Sequence, residues 1–185
     1  MSKLNQNIGA VGEIKASFYD QSNLQNWQIA LNKVLAKCRK YEPSIMKFYQ
    51  LGRMVKCDEI KNVISANGFN TLARRLAGDT TYTGIINKMI LGTGVGTPAE
   101  TDTQLFAEAY RNDTASATSS GKIAYLTAYF TETECVGAFK EFGNCIDGGS
   151  GVNTGQLWSH IAGLNWVKTN TVVLVVSCKY TLQNA

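Results

Sequence analysis

After residue 82 the apolar residues of this chain recur every second position, where before it they recur at helical spacing. The clearest run is 171–182, TVVLVVSCKYTL. Val172, Leu174, Val176, Cys178, Tyr180 and Leu182 fall on one side of it, and Val173, Val175, Ser177, Lys179 and Thr181 on the other. Successive side chains of an extended chain point to opposite faces, so this run reads as a strand with one apolar face. The run 122–131, KIAYLTAYFT, alternates in the same way, and Ile85 to Leu91 carries apolar groups on both faces. Shorter candidates are 108–117, 136–145, 155–162 and 164–169, separated by turn residues at Ser119-Ser120-Gly121, at 147–151 and at Gly163. About seven strands without a βαβ unit predict an antiparallel β-sandwich and disfavour a Rossmann-type sheet.

Upstream the pattern is helical. Residues 22–41 place Trp27, Leu31, Val34, Leu35 and Cys38 on one stripe and Lys33, Lys37 and Lys40 on another, with Pro43 ending the repeat. Residues 58–77 read as a second amphipathic helix. Asp58 and Glu59 suit its positive end, Arg74 and Arg75 suit its negative end, and Asn67-Gly68 is a point at which it can split. The expected fold is thus mainly β (α+β): N-terminal amphipathic helices followed by a sandwich. The expected division is an arm over 1–57 and a helix plus sandwich over 58–185. Charge follows it. Residues 1–78 hold twelve Lys or Arg against five Asp or Glu, and residues 79–185 hold six against nine. A basic arm of this kind suits an acidic protein surface. No run of about 18 apolar residues occurs, and the polar start is not that of a secretory signal, so no membrane partner is expected.

Few residues point to chemistry. The single histidine, His160, lies in a predicted strand beside Trp158 and Ile161 and reads as a half-buried sheet residue. No catalytic residue, metal ligand set, cofactor or small-molecule substrate is expected. The five cysteines, Cys38, Cys57, Cys135, Cys145 and Cys178, form no C-x-x-C pair and read as small core hydrophobes, with a Cys135–Cys145 disulfide as an open possibility. Gly92-Thr93-Gly94-Val95-Gly96-Thr97 follows a strand but lacks both the third glycine of a dinucleotide loop and the lysine of a phosphate loop. Its glycines are expected to let the chain leave the sheet at positive backbone angles. Tyr125, Tyr129, Trp158 and Trp166 can form a stacking surface for sugars or bases, or pack across strands.

One stretch resembles a known module. Leu91-Gly92-Thr93-Gly94, Thr97-Pro98-Ala99, Asp102-Thr103-Gln104-Leu105, and Glu108 with Arg111 follow in order, with Glu141-Phe142-Gly143 downstream. This order is similar to that of the N-terminal attachment domain of tail-collar fibres and related small tail proteins of tailed bacteriophages, over about 60–182. The resemblance implies a non-enzymatic virion protein, made in the host cytoplasm, that joins copies of itself and other virion proteins on the tail, neck, collar or baseplate. Gly92, Gly94, Asp102, Leu105, Glu108, Arg111, Glu141 and Gly143 are then structural motif residues, with Arg111 expected to pair with a carboxylate such as Glu141. Trp27, Leu31, Leu35, Lys33, Lys37 and Lys40 become the candidate interface. A capsid decoration or head-fibre protein clamping capsomers is the alternative within the class. A glycan- or nucleic-acid-binding β module is the alternative outside it, nucleic acid being the less expected ligand.

Overall fold

A computed structural model describes residues 8–37 and 52–184. Among these residues nine strands and two helices follow in the order β1 (Ile8–Asp20), α1 (Asn26–Lys37), β2 (Arg53–Ile64), α2 (Ala66–Leu76), β3 (Ile86–Gly92), β4 (Glu108–Asp113), β5 (Ser116–Ser120), β6 (Ile123–Phe130), β7 (Gly137–Ile146), β8 (Gln156–Lys168) and β9 (Val172–Asn184). The fold is mainly β. All pairings are antiparallel, in one curled sheet of order β4-β3-β7-β8-β2-β1-β9-β6-β5.

The strand expectation therefore holds in kind, but the seven-strand sandwich does not, and the elements before it are a strand, a helix shorter than expected and a second strand. β1 lies between β2 and β9 in the middle of the sheet, so the sheet begins near the N-terminus. The expected boundary at 57/58 falls inside β2. The helix expected over 58–77 is instead the end of β2 followed by the shorter α2. Ser65 causes the switch: its extended backbone (φ −77°, ψ 152°) and its hydroxyl, which accepts the Gly68 amide at 3.1 Å, cap the new helix. The same hydroxyl donates to the Leu157 carbonyl, and Gly68 lies flat on Trp158, which locks α2 onto β8. Of the helix expected over 22–41, residues 26–37 are helical, and Cys38 and Lys40 lie outside the described residues.

The two ends of the sheet meet. β4 bonds to β3 and β5 bonds to β6, and only Thr114 and Ala115 separate them. The Thr114 amide still reaches Asn87 at 2.9 Å, whereas the Ala115 amide reaches Thr127 at 2.7 Å, so one continuous segment bridges the two ends. The enclosed core holds Ile14, Phe18, Met89, Phe130, Phe142, Trp166 and Leu174, with Trp166 meeting Phe18 and Phe142 at ring distances of 6.1 and 5.8 Å. Gly163 is not a turn between two strands. With φ 74° it sits in a bulge of one long β8.

Candidate functional site

The outer face of β3, β7 and β8 is covered by residues 93–107. This flap is held by one buried carboxylate. Glu141, with a fully buried side chain, accepts the backbone amides of Gly94 (2.9 Å) and Ala107 (2.7 Å) on Oε1 and that of Phe106 (2.9 Å) on Oε2. Three amides that a loop would otherwise give to water are thereby satisfied inside the protein. On Oε2 Glu141 also meets His160 Nε2 at 3.0 Å, and His160 Nδ1 meets Asp102 Oδ2 at 2.7 Å. Asp102 in turn accepts the Ala99 amide at 2.9 Å, and the Phe106 ring lies 4.7 Å from the imidazole. Each ring nitrogen faces a carboxylate, so both contacts are charge-assisted hydrogen bonds when the ring carries both protons.

Beneath the flap Leu105 inserts among Ile90, Cys145 and Leu157. The glycines provide the space. A Cβ on Gly94 would stand 2.6 Å from Glu141 Oε1, one on Gly92 would stand 2.6 Å from the Ala107 carbonyl oxygen, and one on Gly143 would stand 2.6 Å from the Ser159 carbonyl oxygen. Neither Gly92 nor Gly94 has a positive φ, so the expected role in backbone turning gives way to a role in close approach.

Arg111 is not bound to Glu141. It forms a two-pronged pair with Glu108, Nε to Oε1 at 2.6 Å and Nη2 to Oε2 at 2.7 Å, with both side chains nearly buried. Two residues three apart on a regular strand would face opposite ways. A register shift against β3, where Leu91 opposes Tyr110 and Gly92 opposes Glu108, turns them to one side. Arg111 Nη1 also donates to the Gly149 carbonyl at 2.9 Å and to Thr154 Oγ1 at 2.7 Å, and Glu108 accepts the Asn153 amide at 2.8 Å. The pair thus fastens the 147–155 loop as Glu141 fastens the flap.

The eight motif residues therefore lie in one region and form two linked clamps. What the residue reading missed is His160 as the bridge between Asp102 and Glu141. Its partners are 58 and 19 positions away in sequence, and no local spacing announces them. With both nitrogens occupied and the ring buried, His160 has no free nitrogen with which to take a substrate proton. No cluster of three His, Cys, Asp or Glu suited to a metal ion occurs among the described residues. Cys135, Cys145 and Cys178 are free and buried, and burial pushes their thiols up to about 12, about 11 and about 12. Cys135 belongs to the enclosed core and Cys145 to the cluster beneath the flap, so they are not bonded. Cys57 is free and exposed.

The candidate interface lies elsewhere. On α1, Trp27, Leu31 and Val34 are 59%, 37% and 56% exposed. Lys33, on the opposite side of the helix, forms an ion pair with Glu132. Leu35 and Lys37 belong to α1, but their side chains lie outside the described residues, as Lys40 does entirely. Of the four aromatics considered for stacking, Tyr129, Trp158 and Trp166 are buried, and Tyr125 alone is exposed. Compared with family profiles, with curated proteins and with solved structures, the chain matches none.

Proposed function

We propose that this chain is a non-enzymatic structural protein of a tailed-phage virion, assembling symmetrically on the tail, neck, collar or baseplate and linking neighbouring components. The observation that carries the reading is the orientation of α1. An amphipathic helix on a finished monomer turns its apolar stripe to the core. Here Lys33 faces the body, through Glu132, and Trp27, Leu31 and Val34 face outward. A contiguous apolar stripe presented to water is a site for another polypeptide. Burying it gives about 1.5–3 kcal/mol for each fully covered Leu or Val, enough with repetition around a ring to hold a particle together. α1 carries Lys33 and Lys37 and no acidic residue, so an acidic rim on the neighbour would orient the contact. The two clamps suit the same role, because they stiffen loops that a catalytic site would need free to close over substrate.

The test is assembly. Trp27→Ser with Leu31→Ser leaves the circular dichroism spectrum and melting temperature of the isolated protein unchanged and abolishes its incorporation into particles. Incorporation at the unmodified level would overturn the reading.

A further inference from the structure

The opposite end of the sheet's outer face bears a groove of about 650 Å³, within the usual size of ligand sites, across β2, β1, β9, β6 and β5. The strand registers arrange its side chains in two rows. One row runs Lys61, Glu13, Lys179, Tyr125, Thr118, and the next runs Glu59, Lys15, Ser177, Thr127, Ser116. Within the rows Lys15 pairs with Glu59 at 2.7 Å and Lys179 with Glu13 at 2.9 Å. Lys61 has no ion pair among the described residues, so one end of the first row holds an uncompensated cation. Tyr125, 40% exposed, stands three strands away, about 14 Å at ordinary strand spacing. Hydroxyls of Thr118, Ser177, Thr127 and Ser116 line the remainder.

We propose that this groove binds an acidic oligosaccharide. Its carboxylate would meet Lys61, its hydroxyls would bond to the Ser, Thr, Glu and Lys groups between, and the apolar face of a sugar ring would lie on Tyr125. The floor discriminates against other ligands. β1, β9 and β6, the centre of the groove, are paired on both sides, so an extended peptide would find free main-chain groups only at its flanks on β2 and β5. Three lysines against two glutamates, with two of the lysines neutralised in pairs, give no track for the repeated phosphates of a nucleic acid. A ligand rich in hydroxyls, with flat apolar faces and one negative charge, matches what remains. The site is independent of α1, so it stands or falls apart from the assembly reading.

The experiment applies the purified chain and three variants to an array of neutral and uronic- or sialic-acid-containing oligosaccharides, with titration of the best binders. Single-stranded DNA and an acidic peptide serve as competing probes. Acidic oligosaccharides are expected to bind. Tyr125→Ala weakens them about tenfold or more, the scale of one lost ring contact. Lys61→Glu abolishes preference for the acidic sugars over their neutral counterparts, and Trp27→Ser leaves binding unchanged. Tyr125 and Lys61 are exposed, so both groove variants keep the unmodified melting temperature. Absence of any bound oligosaccharide, binding indifferent to both groove variants, or binding of the DNA or the peptide in place of sugar would overturn the proposal.

Discussion

The outer face of the sheet is treated in opposite ways at its two ends. Over β3, β7 and β8 it is covered by residues 93–107, whereas the two side-chain rows across β2, β1, β9, β6 and β5 are largely open, the face closing again only at Tyr129, Val173 and Val175. The difference comes from a few side chains. The covered end has Gly92 and Gly143 where the open end has Lys, Glu and Thr, so backbone can approach the pleat closely there. It also has Glu141, which supplies the acceptors that an approaching backbone needs. At the open end Lys15 and Glu59, and Lys179 and Glu13, pair across strands near water. A buried charge can thus organise a loop, whereas the same charges in a solvated ladder leave a surface free for use.

Removing the organiser has the largest effect. Glu141→Ala orphans three amides and the His160 contact, and at about 1–3 kcal/mol for each buried unsatisfied group the loss is on the order of 4 kcal/mol or more by urea denaturation. Glu141→Gln keeps the shape and retains part of the stability. If Glu141→Ala costs no more than an exposed substitution, the covered end does not depend on this carboxylate. Arg111→Ala comes next. It leaves Glu108 buried and unpaired, a loss of about 3–5 kcal/mol, with faster amide exchange over 149–154. Unchanged melting and exchange would remove the second clamp from the account. Gly94→Ala is smaller, about 1–3 kcal/mol, because the flap can lift to admit a methyl group. Its signature is faster exchange of 93–107 with the remaining strands still protected.

The smallest effect belongs to the open end. Lys15 donates to Glu59 and holds its carboxyl below the ordinary value, so the pair's contribution is complete above the usual carboxylate range and is lost as pH falls through the lowered value. Both groups are exposed, so Glu59→Gln leaves the melting temperature at pH 7 unchanged and removes only a slight part of the acid limb of the stability profile. A large loss at neutral pH would show that the open face is structurally coupled to the core.

These contrasts bear on what could be read from residues alone. β6 and β9 were legible because their inward residues, Leu126, Ala128, Phe130, Leu174 and Val176, are apolar without interruption. β2 was not, because Lys56, Asp58 and Asn62 occupy inward positions and hide the alternation. They are held there by partners far along the chain: Lys56 by the Asn165 main-chain carbonyl, Asp58 by Trp166 Nε1 at 2.9 Å, and Asn62 by Tyr180 Oη at 3.2 Å. β1 is short of large apolar residues on its inner side, with Ile14, Ala16 and Phe18 carrying the burial. The motif order around Gly92 to Arg111 was legible, but its physical meaning needed the third dimension. Glu141 and His160 lie on β7 and β8, and only the sheet register brings them under the flap.

Cryo-microscopy of assembled particles at side-chain resolution puts the assembly reading at most risk. Trp27, Leu31 and Val34 of α1 should be found buried against a neighbouring polypeptide, with an acidic group facing Lys33 or Lys37. A particle in which this stripe still faces solvent, or from which the chain is absent, would contradict it.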